Sequence, residues 1–160
     1  FIISPDGLII TNRHVIEGTE TPSVNLANGK WYTARIVEVS EEVDLALLEI
    51  DDEHLPALPL TTSYNGEADV PVYIIGNPLF FSGIVNEGKT LGMSNSDPPM
   101  VVLQAPVYKG NSGSPVITHH GEVLGVVFAT STVRMDGKDQ SVGLAVPSQW
   151  VLNMVAALES

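Results

Sequence analysis

The chain of 160 residues has no cysteine, so it carries no disulfide framework and no thiol chemistry, and it is compatible with any redox environment. Basic side chains are scarce. Seven Lys and Arg stand against 19 Asp and Glu, a net charge of −12. So acidic a chain is not drawn electrostatically to phosphate backbones or anionic lipid, which excludes nucleic acid as the main partner. No apolar run approaches the roughly 18 residues a membrane-spanning helix needs, so no direct membrane insertion is expected. No signal peptide, internal repeat or low-complexity tract is visible. The chain opens on Phe1 rather than Met and runs straight into a strand-like segment, so upstream sequence is expected.

What is present is 44% hydrophobic residues, enough for one domain with a real core or for two small barrels sharing an interface. Residues 1–4 and 8–11 are apolar runs joined by Pro5-Asp6-Gly7, a turn in which Pro presets φ and Gly closes the loop. They read as a hairpin. Residues 12–18 are too short for a full helix and end in Gly18, which predicts a single helical turn. Residues 22–26, 31–39 and 43–50 read as strands, with Asn28-Gly29 a hairpin turn. Residues 54–69 lack periodicity and form the expected linker between two halves. Strands are then predicted over 70–75, 89–93, 100–104, 114–118, 123–129 and 141–146, with His119-His120-Gly121-Glu122 a hairpin turn and 134–140 a polar loop. After Pro147, the helical spacing of Trp150, Val151, Met154, Val155 and Leu158 predicts a terminal helix. Short strands with frequent turn signals indicate an all-β barrel or sandwich.

The stretch Lys109-Gly110-Asn111-Ser112-Gly113-Ser114-Pro115 lies between two apolar runs. Its glycines bracket a serine, so the backbone can turn tightly and leave the Ser112 hydroxyl exposed while consecutive N–H groups converge. A nucleophile and oxyanion donors are two parts of an acyl-transfer site, although Gly/Asn/Ser/Pro clusters are more often plain turns. The serine needs a base. His119 and His120 sit in a turn, point different ways and make a poor metal pair; His54 lies in an acidic loop. These three read as solvated, and no metal or cofactor is expected. His14 follows a buried-looking strand in a tight turn, where it is either a surface cap or a fixed imidazole. Asp44 opens the run Val43-Asp44-Leu45-Ala46-Leu47-Leu48-Glu49-Ile50. An acid inside such a strand costs stability unless it is hydrogen-bonded, and a histidine Nδ1–H would satisfy it; the plain alternative is an edge Asp facing water. The order His14, Asp44, Ser112 differs from the Ser–acid–His order of α/β-hydrolases and from the Asp–His–Ser order of subtilisins.

With those residues in place the chain resembles the trypsin/chymotrypsin-fold serine proteases, in their HtrA/Deg branch. Thr11-Asn12-Arg13-His14-Val15-Ile16, Asp44-Leu45-Ala46-Leu47-Leu48, Ile75-Gly76-Asn77-Pro78, Gly110-Asn111-Ser112-Gly113-Ser114-Pro115 and Val142-Gly143-Leu144-Ala145-Val146-Pro147-Ser148 are each similar to a motif of that branch, in order and in register. The resemblance implies an all-β fold of two six-stranded-type antiparallel barrels with a C-terminal helix. The resemblance also implies that the family's first strand is supplied by sequence before Phe1 and is missing from this segment. The expected layout is one protease domain, with the N-terminal barrel over 1–62, the C-terminal barrel over 63–146 and the helix over 147–160. It implies a serine endopeptidase acting on unfolded or exposed polypeptide segments. Ser112 is then the nucleophile, His14 the general base and acid, and Asp44 the orienting carboxylate. The backbone N–H groups of Gly110 and Ser112 form the oxyanion hole. Phe128, Ala129 and Thr130 form the edge that pairs with an extended peptide, and Pro106, Thr130 and Gly143 line the specificity pocket. Pro106 stands where trypsin has an acid, so Lys or Arg preference is not expected. Val127 stands where glutamyl endopeptidases have a histidine, so Glu preference is not expected either. A small or medium apolar residue is expected before the scissile bond. Phe128 replaces a hydroxyl donor to the aspartate, so Asp44 is expected to rely on backbone donors. The resemblance also implies an extracytoplasmic location. A homo-oligomer is allowed, but this segment does not support one. The alternative function is a catalytically silent protease-fold module that binds extended peptides on the same edge.

Overall fold

The computed structural model describes residues 1–26, 29–76, 84–105 and 111–159. Among them strands are the main regular structure, with two helices. In the first half, β1 (Leu8–Thr11) pairs with β5 (Ala46–Glu49), and β5 with β4 (Arg35–Val39), in an antiparallel three-stranded sheet. A separate ribbon joins β2 (Ser23–Asn25) to β3 (Trp31–Thr33), and the one-turn helix α1 (Arg13–Ile16) follows β1. In the second half six strands close an antiparallel barrel in the order β10-β11-β8-β7-β6-β9. They are β6 (Ala68–Gly76), β7 (Ile84–Met93), β8 (Val101–Gln104), β9 (Pro115–Thr118), β10 (Val123–Met135) and β11 (Lys138–Pro147). The helix α2 (Ser148–Glu159) leaves the end of β11.

Burial explains this arrangement. Val72, Ile74, Leu103, Val116, Leu124 and Ala145 fill the closed barrel, while Ile9, Ile16, Leu48 and Ile50 make a core for the first half. A third cluster sits at the junction. Ile10 and Leu47 come from the first sheet, Val126 and Val146 from the barrel, and Val151 and Met154 from α2. Each such side chain contributes roughly 1.5–3 kcal/mol on burial, so the junction cluster holds sheet, barrel and helix together. The helical stripe expected of 148–158 is the face that enters it, although Leu158 lies exposed.

Several segments depart from the sequence-based expectation or add to it; β7, expected from residue 89, already begins at Ile84. Residues 31–39 form two strands, because the chain breaks at Ala34, whose N–H donates to the Pro22 carbonyl at 2.8 Å. β3 then pairs with β2, and β4 turns to β5. The strand expected from Val43 begins only at Ala46. Asp44 lies in a bend that Ser40 shapes by accepting the N–H groups of Glu42 and Val43 on its hydroxyl. Residues 134–140 are not a polar loop. β10 and β11 continue to a two-residue turn, with Met135 opposite Lys138 and both Asp136 (φ 52) and Gly137 (φ 76) at positive φ. Asp-Gly is the dipeptide such a turn demands; the charged composition around it hid the signal. The linker over 54–69 is also tied down. Leu58 N–H donates to Ile2 O at 3.0 Å, and Thr61 N–H to Val123 O at 2.8 Å. The residues Ala27, Asn28, Asn77, Pro78, Pro106 and Gly110, on which several expectations fall, lie outside the described residues.

Candidate active site

Sheet register accounts for the first meeting of side chains. Thr11 of β1 lies opposite Ala46 of β5. His14, three positions beyond Thr11, and Asp44, two positions before Ala46, therefore emerge at the same end of the sheet. The short helix α1 turns the imidazole back over that end. Arg13 fastens the turn by donating from Nη1 to the Ser40 carbonyl at 2.9 Å, and Asn12 donates from Nδ2 to the Asp44 carbonyl at 3.0 Å.

The Asp44 carboxylate is used twice. Oδ1 accepts the backbone N–H of His14 at 2.9 Å, and Oδ2 lies 2.5 Å from His14 Nδ1. The side chains of His14 and Asp44 are 44% and 19% exposed respectively. The carboxylate is therefore shielded while the outer edge of the imidazole faces solvent. A carboxylate at Nδ1 fixes the tautomer that carries its proton there and leaves Nε2 as an acceptor. Asp44 thus takes a backbone donor. The acid is not embedded in a strand, however, and the bend lets it receive that N–H.

Nε2 faces the serine. His14 Nε2 and Ser112 Oγ are 3.3 Å apart across a sequence separation of 98 residues. Ser112 is placed by the turn between β8 and β9. Gly113 adopts φ 83, a left-handed conformation that costs any residue with a Cβ. A Cβ there would come within 3.1 Å of Thr11 Oγ1, so the loop packs directly on the end of β1. Two N–H groups of the loop are already bonded: Gly113 to the Val127 carbonyl at 2.8 Å and Ser114 to the Asn111 carbonyl at 2.9 Å. Neither can serve an incoming substrate oxygen.

The edge residues also fall beside the serine. β10 pairs with β9 only as far as Val126 opposite Pro115, after which Val127 N–H donates to the Ser114 carbonyl. At Phe128 the register against β11 shifts in a bulge; Ala129 then faces Leu144, and Thr130 faces Gly143. Phe128, Ala129, Thr130 and Gly143 are thus neighbours on two paired strands next to Ser112, and Phe128 packs on the junction cluster. His119 and His120 do not point apart as expected: their rings meet at 4.0 Å, tilted by 39°, in their exposed turn. Among the described residues no group of three or more His, Asp or Glu is placed to hold a metal ion.

Sequence reasoning assigned no role to Asn12, Arg13, Ser40 or Asn111. The signal for Asn12 is a polar side chain closing an apolar strand just before a histidine; it is fully buried. Asn111 is fully buried too, and its Nδ2 and Oδ1 have no hydrogen-bond partner among the described residues. A methyl group on Gly76 would run into Asn111 Oδ1 and lie 2.9 Å from Ser114 Oγ, so Gly76 makes room for that amide.

This geometry agrees with what similarity shows. A family model for the trypsin-like peptidase domain matches residues 1–126, and the chain belongs to that family. Its relatives are serine proteases of the HtrA group. Serine protease HTRA1A of Danio rerio is 35% identical, over 98% of this chain and 33% of that protein. Serine protease HTRA4 of Homo sapiens is 36% identical over the same shares. The probable periplasmic serine endoprotease DegP-like of Marinomonas sp. (strain MWYL1) is 33% identical, over 100% of this chain and 35% of that protein. The chain therefore spans about a third of the length of these curated relatives. Among solved structures, the HtrA-type protease AlgW with decapeptide superposes with a TM-score of 0.84 at 28% identity, covering 98% of this chain and 49% of that one.

Proposed function

We propose that this chain is the protease domain of a serine endopeptidase that cuts unfolded or exposed polypeptide segments through an acyl-enzyme. One observation carries the reading: His14, Asp44 and Ser112 meet in a single chain of polar contacts, Asp44 Oδ2 to His14 Nδ1 and His14 Nε2 to Ser112 Oγ. Ser112 Oγ attacks the scissile carbonyl carbon while His14 Nε2 takes its proton. Asp44 holds the Nδ1 proton in place and stabilises the imidazolium. The tetrahedral intermediate collapses as His14 returns the proton to the leaving amine, leaving an ester on Ser112 that water hydrolyses by the same relay. The family resemblance assigns the oxyanion to the N–H groups of Ser112 and Gly110, and the engaged N–H groups of Gly113 and Ser114 are consistent with that choice. The substrate lies along Phe128, Ala129 and Thr130, and its side chain enters a pocket at Pro106, Thr130 and Gly143. With Pro106 in place of an acid, small or medium apolar residues are favoured. The names of the relatives, one periplasmic, support an extracytoplasmic location.

The test is labelling with a fluorophosphonate, read by intact mass and peptide mapping beside Ser112→Ala. A single adduct on Ser112, absent in the variant, is expected. No adduct on a protein shown to be folded would refute catalysis and leave a silent peptide binder.

A further inference from the structure

β10 runs 13 residues, from Val123 to Met135, but β9 covers only its first third, ending opposite Val126. From residue 128 to 135 one side of β10 is bonded to β11, down to the pair Met135–Lys138, and no described strand pairs with the other side. Long free edges are a liability that proteins normally blunt with charges, Pro or short strands. This one is not blunted. Residues 128–135 contain no Pro and no acid in a chain with 19 Asp and Glu. Their one charged side chain, Arg134, already pairs with Asp139 at 3.4 Å. The single bulge sits at the catalytic end, beside Ser112, rather than at the tip where it would deter pairing.

We infer that the whole edge over 128–135 is a docking strand for an extended polypeptide running antiparallel to β10. Its C-terminal end arrives at Ser112, and about seven residues on the N-terminal side of the cleavage point are held through the main chain. The inference rests on the proposed serine-protease reading and extends it from the residues next to the scissile bond to the length of segment the domain requires. At about 3.3 Å per residue the edge spans about 23 Å. Main-chain pairing supplies the affinity in such strand addition, so the requirement is for an extended, accessible segment rather than a sequence. The absence of acids along the edge lets neutral and acidic segments dock on a protein that is strongly acidic elsewhere.

The test uses neutral peptides with a constant cleavage region and zero to nine residues added on the N-terminal side. On the intact sequence, kcat/KM is expected to climb about three- to tenfold for each added pair of residues, the gain of a few main-chain hydrogen bonds, and to level off near seven. In a binding arm on the Ser112→Ala variant, fluorescence anisotropy should show Kd falling over the same range. N-methylation at alternate peptide positions should abolish the gain at one parity only. Deleting residues 132–135 and 138–141 keeps the Asp136-Gly137 turn and joins it to the facing pair Ser131–Val142. This shortened hairpin keeps 128–131, so it should turn over the shortest peptide at the parent rate and level off near three added residues. A plateau at three residues on the intact sequence, a gain with no alternation, or a gain beyond three residues that survives the deletion would each overturn the inference. Length-dependent binding without any turnover would instead refute catalysis and leave the docking strand standing.

Discussion

Gly113 and Gly121 offer a matched pair of perturbations. Both adopt nearly the same left-handed backbone, φ 83 and φ 80. A Cβ on Gly121 meets nothing within 4 Å, whereas a Cβ on Gly113 meets Thr11 Oγ1 at 3.1 Å. Replacing either by Ala places a side chain in a conformation that costs about 1–2 kcal/mol, offset by about 0.4–1 kcal/mol from the less flexible unfolded chain. Gly121→Ala should therefore lose about 1 kcal/mol and, at about 2–4 °C per kcal/mol for a domain of this size, about 2–4 °C of Tm. Gly113→Ala has the same cost plus the push against Thr11, a β-branched side chain with a stiff χ1. Forcing it off its rotamer adds about 1 kcal/mol, for a total Tm loss of about 4–8 °C. Function separates the two more sharply. The push moves the nucleophile loop off the end of β1, and Ser112 Oγ already stands 3.3 Å from His14 Nε2. A displacement on the order of 1 Å costs on the order of 10²-fold in rate. Calorimetry with a peptide turnover assay should give Gly121→Ala at the parent kcat and Gly113→Ala about a hundredfold lower. Equal Tm losses, or full turnover in Gly113→Ala, would refute the packing of the nucleophile loop on Thr11.

Asp44→Asn keeps the size of the side chain but loses its charge and its hold on the Nδ1–H tautomer. A fall in kcat on the order of 10⁴ is expected, and a loss under tenfold in steady-state turnover would remove Asp44 from the relay. Ile10→Ala empties a fully buried position in the cluster shared by sheet, barrel and α2. It should cost about 2–5 kcal/mol in urea unfolding, and a single cooperative transition shifted by less than about 1 kcal/mol would mean that this cluster does not bind the halves together. Tyr32 donates its hydroxyl proton to Asp52. That bond chiefly holds the Asp52 carboxyl below its ordinary 3.8 and raises the Tyr32 phenol above 10.0. The depressed acid contributes stability that is present above 3.8 and lost as pH falls through the folded value. The raised phenol contributes stability that is present below 10.0 and lost as pH rises through its own. Tyr32→Phe should thus be the less stable protein only in the window between, and a difference that persists at acid and alkaline extremes would contradict the assignment.

The part of this protein that was legible in its sequence is the part carried by local chemistry. Turn residues and apolar runs locate each strand of the second half, although β7 begins five positions earlier and β10 and β11 run on through the expected loop. The spacing of Trp150, Val151, Met154 and Val155 determines a helix and its buried face. Gly113 beside the serine marks a tight turn because few other residues tolerate its left-handed backbone. His14 and Ser112 could be singled out as candidates for the same reason. What the sequence could not decide is anything that depends on partners remote along the chain. Ala34 reads as mid-strand, and it becomes a break only because Pro22 accepts its N–H and two different sheets claim its flanks. Asp44 reads as a strand acid, and it sits in a bend because Ser40 captures the intervening N–H groups. The supports of the site, Asn12 and Arg13, are visible only once residues 40–44 lie across from them. The free edge beyond Phe128 exists only because β9 ends where it does and the Asp136-Gly137 turn lets β10 continue. Composition and turn chemistry act over a few residues and survive in the linear chain. Register, and the meeting of His14 with Ser112 across 98 residues, are settled by which buried surfaces close on one another.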